Sequence, residues 1–108
     1  MLSECPAATV TAPIEIVWDL LTSPAAYGPW LGVRVIRVVP AGAAHVGQEV
    51  VVGRGGVGGR RWTMRLTIER VDSATGIFAF RAELPLGIRL QERISCATVS
   101  GGTRVQFG

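Results

Sequence analysis

The stretch VTAPIEIVWDLLTSPAAYGPWLGVRVIRV, residues 10–38, decides how this chain is read. Its first half has helical spacing. Ile14, Val17, Trp18 and Leu21 recur at i, i+3, i+4 and i+7, which predicts one apolar helix face over 13–22. Pro13 suits the first helical position behind a capping Thr11, because the N–H it lacks would have no partner there. Ser23-Pro24 ends the helix, and PAAYGPW (24–30) predicts a second short helix or turn carrying Tyr27 and Trp30. From Gly32 the period becomes two. Upstream, residues 5–12 read as a short strand.

The period of two runs to the end of the chain. It predicts strands over 33–39, 48–54, 60–71, 76–84, 88–99 and 102–107. The turns between them are too short for parallel crossovers, so the order is strand, two helices and a six-stranded antiparallel meander. Alternation then assigns faces. Trp62, Met64, Leu66 and Ile68 oppose Thr63, Arg65, Thr67 and Glu69. Phe78, Phe80, Ala82 and Leu84 form the apolar set of the next strand. Ile88, Leu90, Ile94 and Cys96 oppose Arg89, Gln91, Arg93 and Ser95, and Val105 and Phe107 oppose Arg104 and Gln106. One face is wet and one apolar, as in an antiparallel sheet covered on one side. The 33–39 strand breaks parity, because Arg34 and Arg37 share a face only if a bulge lies between them.

Composition narrows the class. The 108 residues suffice for one domain, 1–108, and its core. Apolar residues are 48% and charged residues 18%, which excludes a disordered chain. No apolar run approaches the ~20 residues of a membrane span, and residues 1–13 do not read as a secretory leader. A cytoplasmic location without integral membrane association is expected. The net charge of +3 comes from eleven arginines and no lysine. The arginines are scattered along the chain, with only Arg60 and Arg61 adjacent, so no nucleic-acid partner is expected. Cys5, Cys96 and the lone His45 lack metal-site spacing, so neither metal nor cofactor is expected. Cys96 falls on an apolar face and reads as a small buried hydrophobe.

The opening stretch, with its strand, Ala12-Pro13, helix with Val17-Trp18 and Leu20-Leu21, Pro29-Trp30 and Gly32, resembles the START-related superfamily. That group includes birch-pollen-allergen-like proteins and the bacterial polyketide cyclase/dehydrase and lipid-transport family. The closing GGTRVQF, residues 101–107, is similar to that family's last strand. The resemblance implies an α+β helix-grip fold, a curved antiparallel sheet around an apolar pocket. It also implies a long C-terminal helix across the concave face, for which residue 108 comes too early. A truncated domain is therefore expected to be unstable or to self-associate through the uncovered face. Covering each large apolar side chain contributes roughly 1.5–3 kcal/mol.

The pocket expected from the inward set is lined by Trp62, Met64, Leu66, Phe78, Phe80, Leu90 and Ile94, with Tyr27 and Trp30 from the second helix. It would hold a small hydrophobic molecule such as a lipid, a polyketide or an aromatic. Glu92 lies at an inward position between Leu90 and Ile94. Burial there would raise its pKa and suit it to proton transfer in a cyclase or dehydratase, unless it pairs with Arg60 or turns to solvent. A third reading is an interaction module whose concave face grips a partner protein. The run GRGGVGGR, residues 53–60, joins two strands instead of opening a helix and lacks the Lys-Ser/Thr of a phosphate loop, so it reads as a hairpin connection. No serine sits in a nucleophile-elbow context.

Overall fold

The computed structural model describes residues 7–55 and 61–108. Strand β1 (Ala7–Val10) leads into helix α1 (Ile14–Leu21), a 3-10 turn at Pro24–Ala26 and helix α2 (Tyr27–Leu31). Six strands follow: β2 (Arg34–Val39), β3 (Glu49–Gly55), β4 (Arg61–Asp72), β5 (Ile77–Glu83), β6 (Arg89–Val99) and β7 (Gly102–Phe107). Each pairs antiparallel with the next, and β1 closes on β7, with Ala7 opposite Gln106 and Val10 opposite Thr103. The sheet order is β1-β7-β6-β5-β4-β3-β2. With two short helices inserted after β1, this is the curved α+β helix-grip sheet that the alternation and the opening stretch imply.

Helix α1 starts differently from the expectation. Pro13 sits at the cap with extended backbone, φ −61° and ψ 154°, and no side chain caps the helix. The Pro13 carbonyl instead accepts the N–H groups of Ile16 (3.1 Å) and Val17 (3.2 Å). The proline brings the chain out of β1 in an extended conformation, which leaves Ile14 as the first helical residue. The first strand is shorter than 5–12, ending at Val10, and residues 5 and 6 lie outside the described residues. At the far end of α2, Gly32 takes the left-handed conformation (φ 68°) and its N–H closes on the Gly28 carbonyl at 2.9 Å. This is the usual way a helix stops on glycine.

The bulge foreseen in the 33–39 strand is present. Register between β2 and β3 shifts between Val35 and Arg37, so Ile36 is the extra residue and both arginines face solvent. A second bulge interrupts β4 between Ile68 and Arg70. Beyond it, Val71 and not Arg70 packs against the core. Both insertions add local bend to a sheet that must curve.

The core lies between the concave face and the two helices. Val50, Val52, Leu66, Ile68, Phe78, Ala82, Ile94 and Cys96 are buried from the sheet, and Leu21 and Tyr27 from the helices. Trp18 meets Phe78 edge-on at 6.5 Å, and Phe78 lies 6.2 Å from Phe80. Burial pushes the Cys96 thiol above its ordinary pKa, as expected of a packing residue and not a nucleophile. Fully buried Gln48 organises the loop before β3. Its amide donates to the carbonyls of Pro40 (2.8 Å), Gly42 (3.2 Å) and Ala43 (3.4 Å). The same loop is held to the end of α1 by Ala44 N–H on the Thr22 carbonyl, at 2.9 Å.

Candidate functional site

An apolar bowl forms where α2 crosses the concave face. Leu66, Phe78, Phe80 and Ile94 make its floor, and Tyr27 and Trp30 come down from α2, so the structure brings these six expected residues together. They meet because the registers align. Phe78 pairs with Ile94, Ile94 with Phe107, and Ile68 with Phe80 across the second bulge. Leu21, Leu31, Val50, Ile68 and Phe107 complete the lining, although none of these was among the expected pocket residues. Leu21, Ile68 and Phe107 belong to apolar faces legible in the sequence. Val50 hides in the run Val50-Val51-Val52, where period two gives no parity.

The bowl is shallow. It encloses about 110 Å³, well below the ~300 Å³ at the low end of ligand pockets. Side chains fill much of its depth. Its rim is open, because Trp30, Leu31 and Phe107 are each about two-fifths exposed. The lining side chains carry two polar atoms, the Tyr27 hydroxyl and the Trp30 indole nitrogen, and the first is already committed. The Tyr27 hydroxyl donates to the Leu21 carbonyl, and burial holds that hydroxyl protonated far above neutrality. Tyr27 therefore offers its ring, which stacks edge-on against Trp30 at 5.5 Å.

The remaining expected residues lie elsewhere on the same face. Met64 is half-buried and packs against the core. Leu90 is 46% exposed, beyond the bowl along β6. Glu92 stands opposite Phe80, half-buried at the side of the bowl. Its suggested partner Arg60 lies outside the described residues, as does most of the glycine-rich connection. Trp62 lines a different depression at the end of β3 and β4. This groove, of about 550 Å³, is bordered by Gly32, Val33, Arg34, Gly53, Arg54 and Thr63. His45 is exposed with Nδ1 2.9 Å from the Ala43 carbonyl. Among the described residues no cluster of His, Cys, Asp and Glu could hold a metal ion, and no helix is long and apolar enough to cross a membrane.

A sheet of this kind, entered through two short helices, is shared with known proteins. Residues 7–108 match the family model described as polyketide cyclase / dehydrase and lipid transport. The chain belongs to that family. Solved structures share the fold at low identity. Ms6760 of Mycobacterium smegmatis superposes with a TM-score of 0.75 at 18% identity, over 94% of this chain and 66% of its own. DynU16, from the dynemicin biosynthetic locus, gives 0.71 at 17%, over 96% of this chain and 35% of its own. Ara h 8.0201 gives 0.73 at 13%, over 95% of this chain and 72% of its own. The chain thus spans just under two thirds of Ms6760 and about a third of DynU16. No curated protein sequence matches the chain.

Proposed function

We propose that this member of the polyketide cyclase / dehydrase and lipid transport family binds a small hydrophobic molecule against the concave face, with the bowl under α2 as the contact surface. The observation that carries the reading is the lining itself: eleven side chains from both helices and five strands, whose polar atoms are only the Tyr27 hydroxyl, already bonded to the Leu21 carbonyl, and the Trp30 indole N–H. Such a surface gains by losing water and offers a polar solute little besides the Trp30 indole N–H. Because the bowl is shallow, the ligand lies on it and reaches past its rim. Trp30 and Phe107, apolar and partly exposed at that rim, supply the walls.

Titration of the protein with the neutral dye N-phenyl-1-naphthylamine tests this. The expected result is saturable binding with enhanced dye fluorescence, weakened several-fold in Trp30→Ala. Trp30 is 43% exposed, so its loss leaves the core packed. Absence of saturable binding to the folded wild-type protein overturns the reading.

A further inference from the structure

The hairpin between β5 and β6 ends in an apolar tip, Leu84-Pro85-Leu86-Gly87-Ile88. The tip is anchored at its base. Leu84 packs against the core, and its N–H donates to the Ile88 carbonyl at 2.8 Å. Beyond that anchor the side chains turn to solvent. Leu86 is 97% exposed, and Ile88 and Leu90 behind it are each about half exposed. A single exposed leucine is ordinary, but three apolar side chains gathered at one turn form a patch.

Leu86 does nothing to make the turn. It lies in the left-handed region, φ 69° and ψ 21°, and Gly87 follows at φ 74°. Two consecutive left-handed residues suit Asn-Gly or Gly-Gly, because a bulky side chain is strained there. Among the described residues Leu86 is the only one besides glycine with positive φ. The fold therefore keeps a leucine where it packs on nothing and strains the backbone. Strain of this kind points to a purpose other than folding.

The foot of the tip is cationic. Strand pairing sets Arg37, Val51, Arg65, Glu83 and Arg89 side by side across β2 to β6, on one face of the sheet. Arg37, Arg65 and Arg89 are exposed, and among the described residues none of them forms an ion pair. Arg37 and Arg65 line a groove bordered by Leu84 and Pro85. Glu83 is the one acid in the row. Along β5 the row lies three residues before Leu86, at most on the order of 10 Å of chain. Apolar side chains of interfacial segments enter the boundary between headgroups and acyl chains to ~5–10 Å. With Leu86 at that depth, the arginines stand at the level of the headgroups.

We infer that this hairpin is a peripheral docking site for an anionic lipid surface, with Leu86 and Ile88 entering the bilayer boundary and Arg37, Arg65 and Arg89 meeting the headgroups. A protein partner fits less well, because three apolar side chains fall far short of the roughly 800 Å² per partner that a stable interface buries. A lipid surface needs no matching shape, and its anionic headgroups attract each arginine held near them. The inference does not depend on a ligand in the bowl.

Cosedimentation with vesicles at low ionic strength tests this, using phosphatidylcholine alone and phosphatidylcholine mixed equally with phosphatidylglycerol. The decisive variant is Leu86→Asn. It removes the apolar side chain and tolerates the left-handed backbone, so the hairpin keeps its turn. The wild-type protein is expected to bind the mixed vesicles about tenfold more tightly than Leu86→Asn, equivalent to ~1.4 kcal/mol. Arg37→Ala/Arg65→Ala should bind the mixed vesicles several-fold more weakly, with its binding to the neutral vesicles unchanged. No vesicle binding by the folded wild-type protein, or binding unaltered in Leu86→Asn, overturns the inference. Equal binding to both kinds of vesicle overturns the part given to the arginines. A wild-type dimer in gel filtration that Leu86→Asn turns into a monomer, without vesicle binding, overturns lipid docking and assigns the tip to a second copy of the chain. None of these outcomes touches the dye titration, so the hydrophobic reading stands or falls separately.

Discussion

Strands β3 and β4 carry two surfaces on one face. At the Val50–Leu66 pair the face is closed, and Val50 has no exposure at all. At the Arg54–Trp62 pair, four residues along, the face is open and Arg54 is exposed. The backbone is the same regular ladder at both places, and alternation continues unbroken between them. What changes is cover. The closed end lies under α1 and α2, whereas the open end lies past Gly32, where α2 has stopped. Secondary structure therefore sets which way a side chain points, and the reach of a five-residue helix sets whether it becomes core or stays exposed.

The largest test of this difference is at the closed end. Phe78 is 3% exposed, meets Trp18 and Phe80, and lines the bowl at the same time. Phe78→Ala should cost about 3–5 kcal/mol in urea unfolding, because the site is packed from several directions and cannot collapse. A loss below ~1 kcal/mol would mean that the bowl is loosely packed and distinct from the core. A smaller effect is expected at Gln48, which belongs to neither surface but holds together the loop before β3. Gln48→Ala should lose about 1–3 kcal/mol by the same measurement, because its two amide N–H groups serve three carbonyls in a fully buried setting.

Much of this was legible in the sequence for a simple reason. Strands β4 to β7 alternate over most of their length, so parity put Leu66, Phe78, Phe80 and Ile94 on one face. Even the β2 bulge showed, because Arg34 and Arg37 cannot share a face otherwise. The β4 bulge did not show. It falls at Glu69-Arg70, and its one signal, an apolar Val71 at an odd position beside Arg70 at an even one, comes at the end of the strand where only a single residue carries it. Parity also gives direction without depth. Trp62 and Leu90 follow the same rule as Leu66, yet one borders the groove and the other is 46% exposed. Gln48 was illegible because a single glutamine carries no pattern. The arginines look scattered as long as they are counted along the chain, yet Arg37 and Arg65 come to flank Val51 on one face through strand pairing.

At the open end the expected effect on folding is nearly nil, and its sign carries the information. Arg34 and Arg54 are exposed and make no ion pair among the described residues, so truncating them removes no packing that the fold uses. Surface substitutions of this kind ordinarily change stability by about ±0.5 kcal/mol or less. Both side chains also sit in an edge with excess positive charge, where each adds repulsion that salt screens over a Debye length of roughly 10 Å at 0.1 M. Arg34→Ala/Arg54→Ala should therefore be as stable as the wild type, or slightly more stable, in urea unfolding at low salt. The difference should vanish at high salt. A double variant that is destabilised by more than ~1 kcal/mol and insensitive to salt would show that the arginines brace the edge. In that case the open end would be part of the structural core, and the contrast between the closed and the open end of the strands would not be a division between packing and exposure.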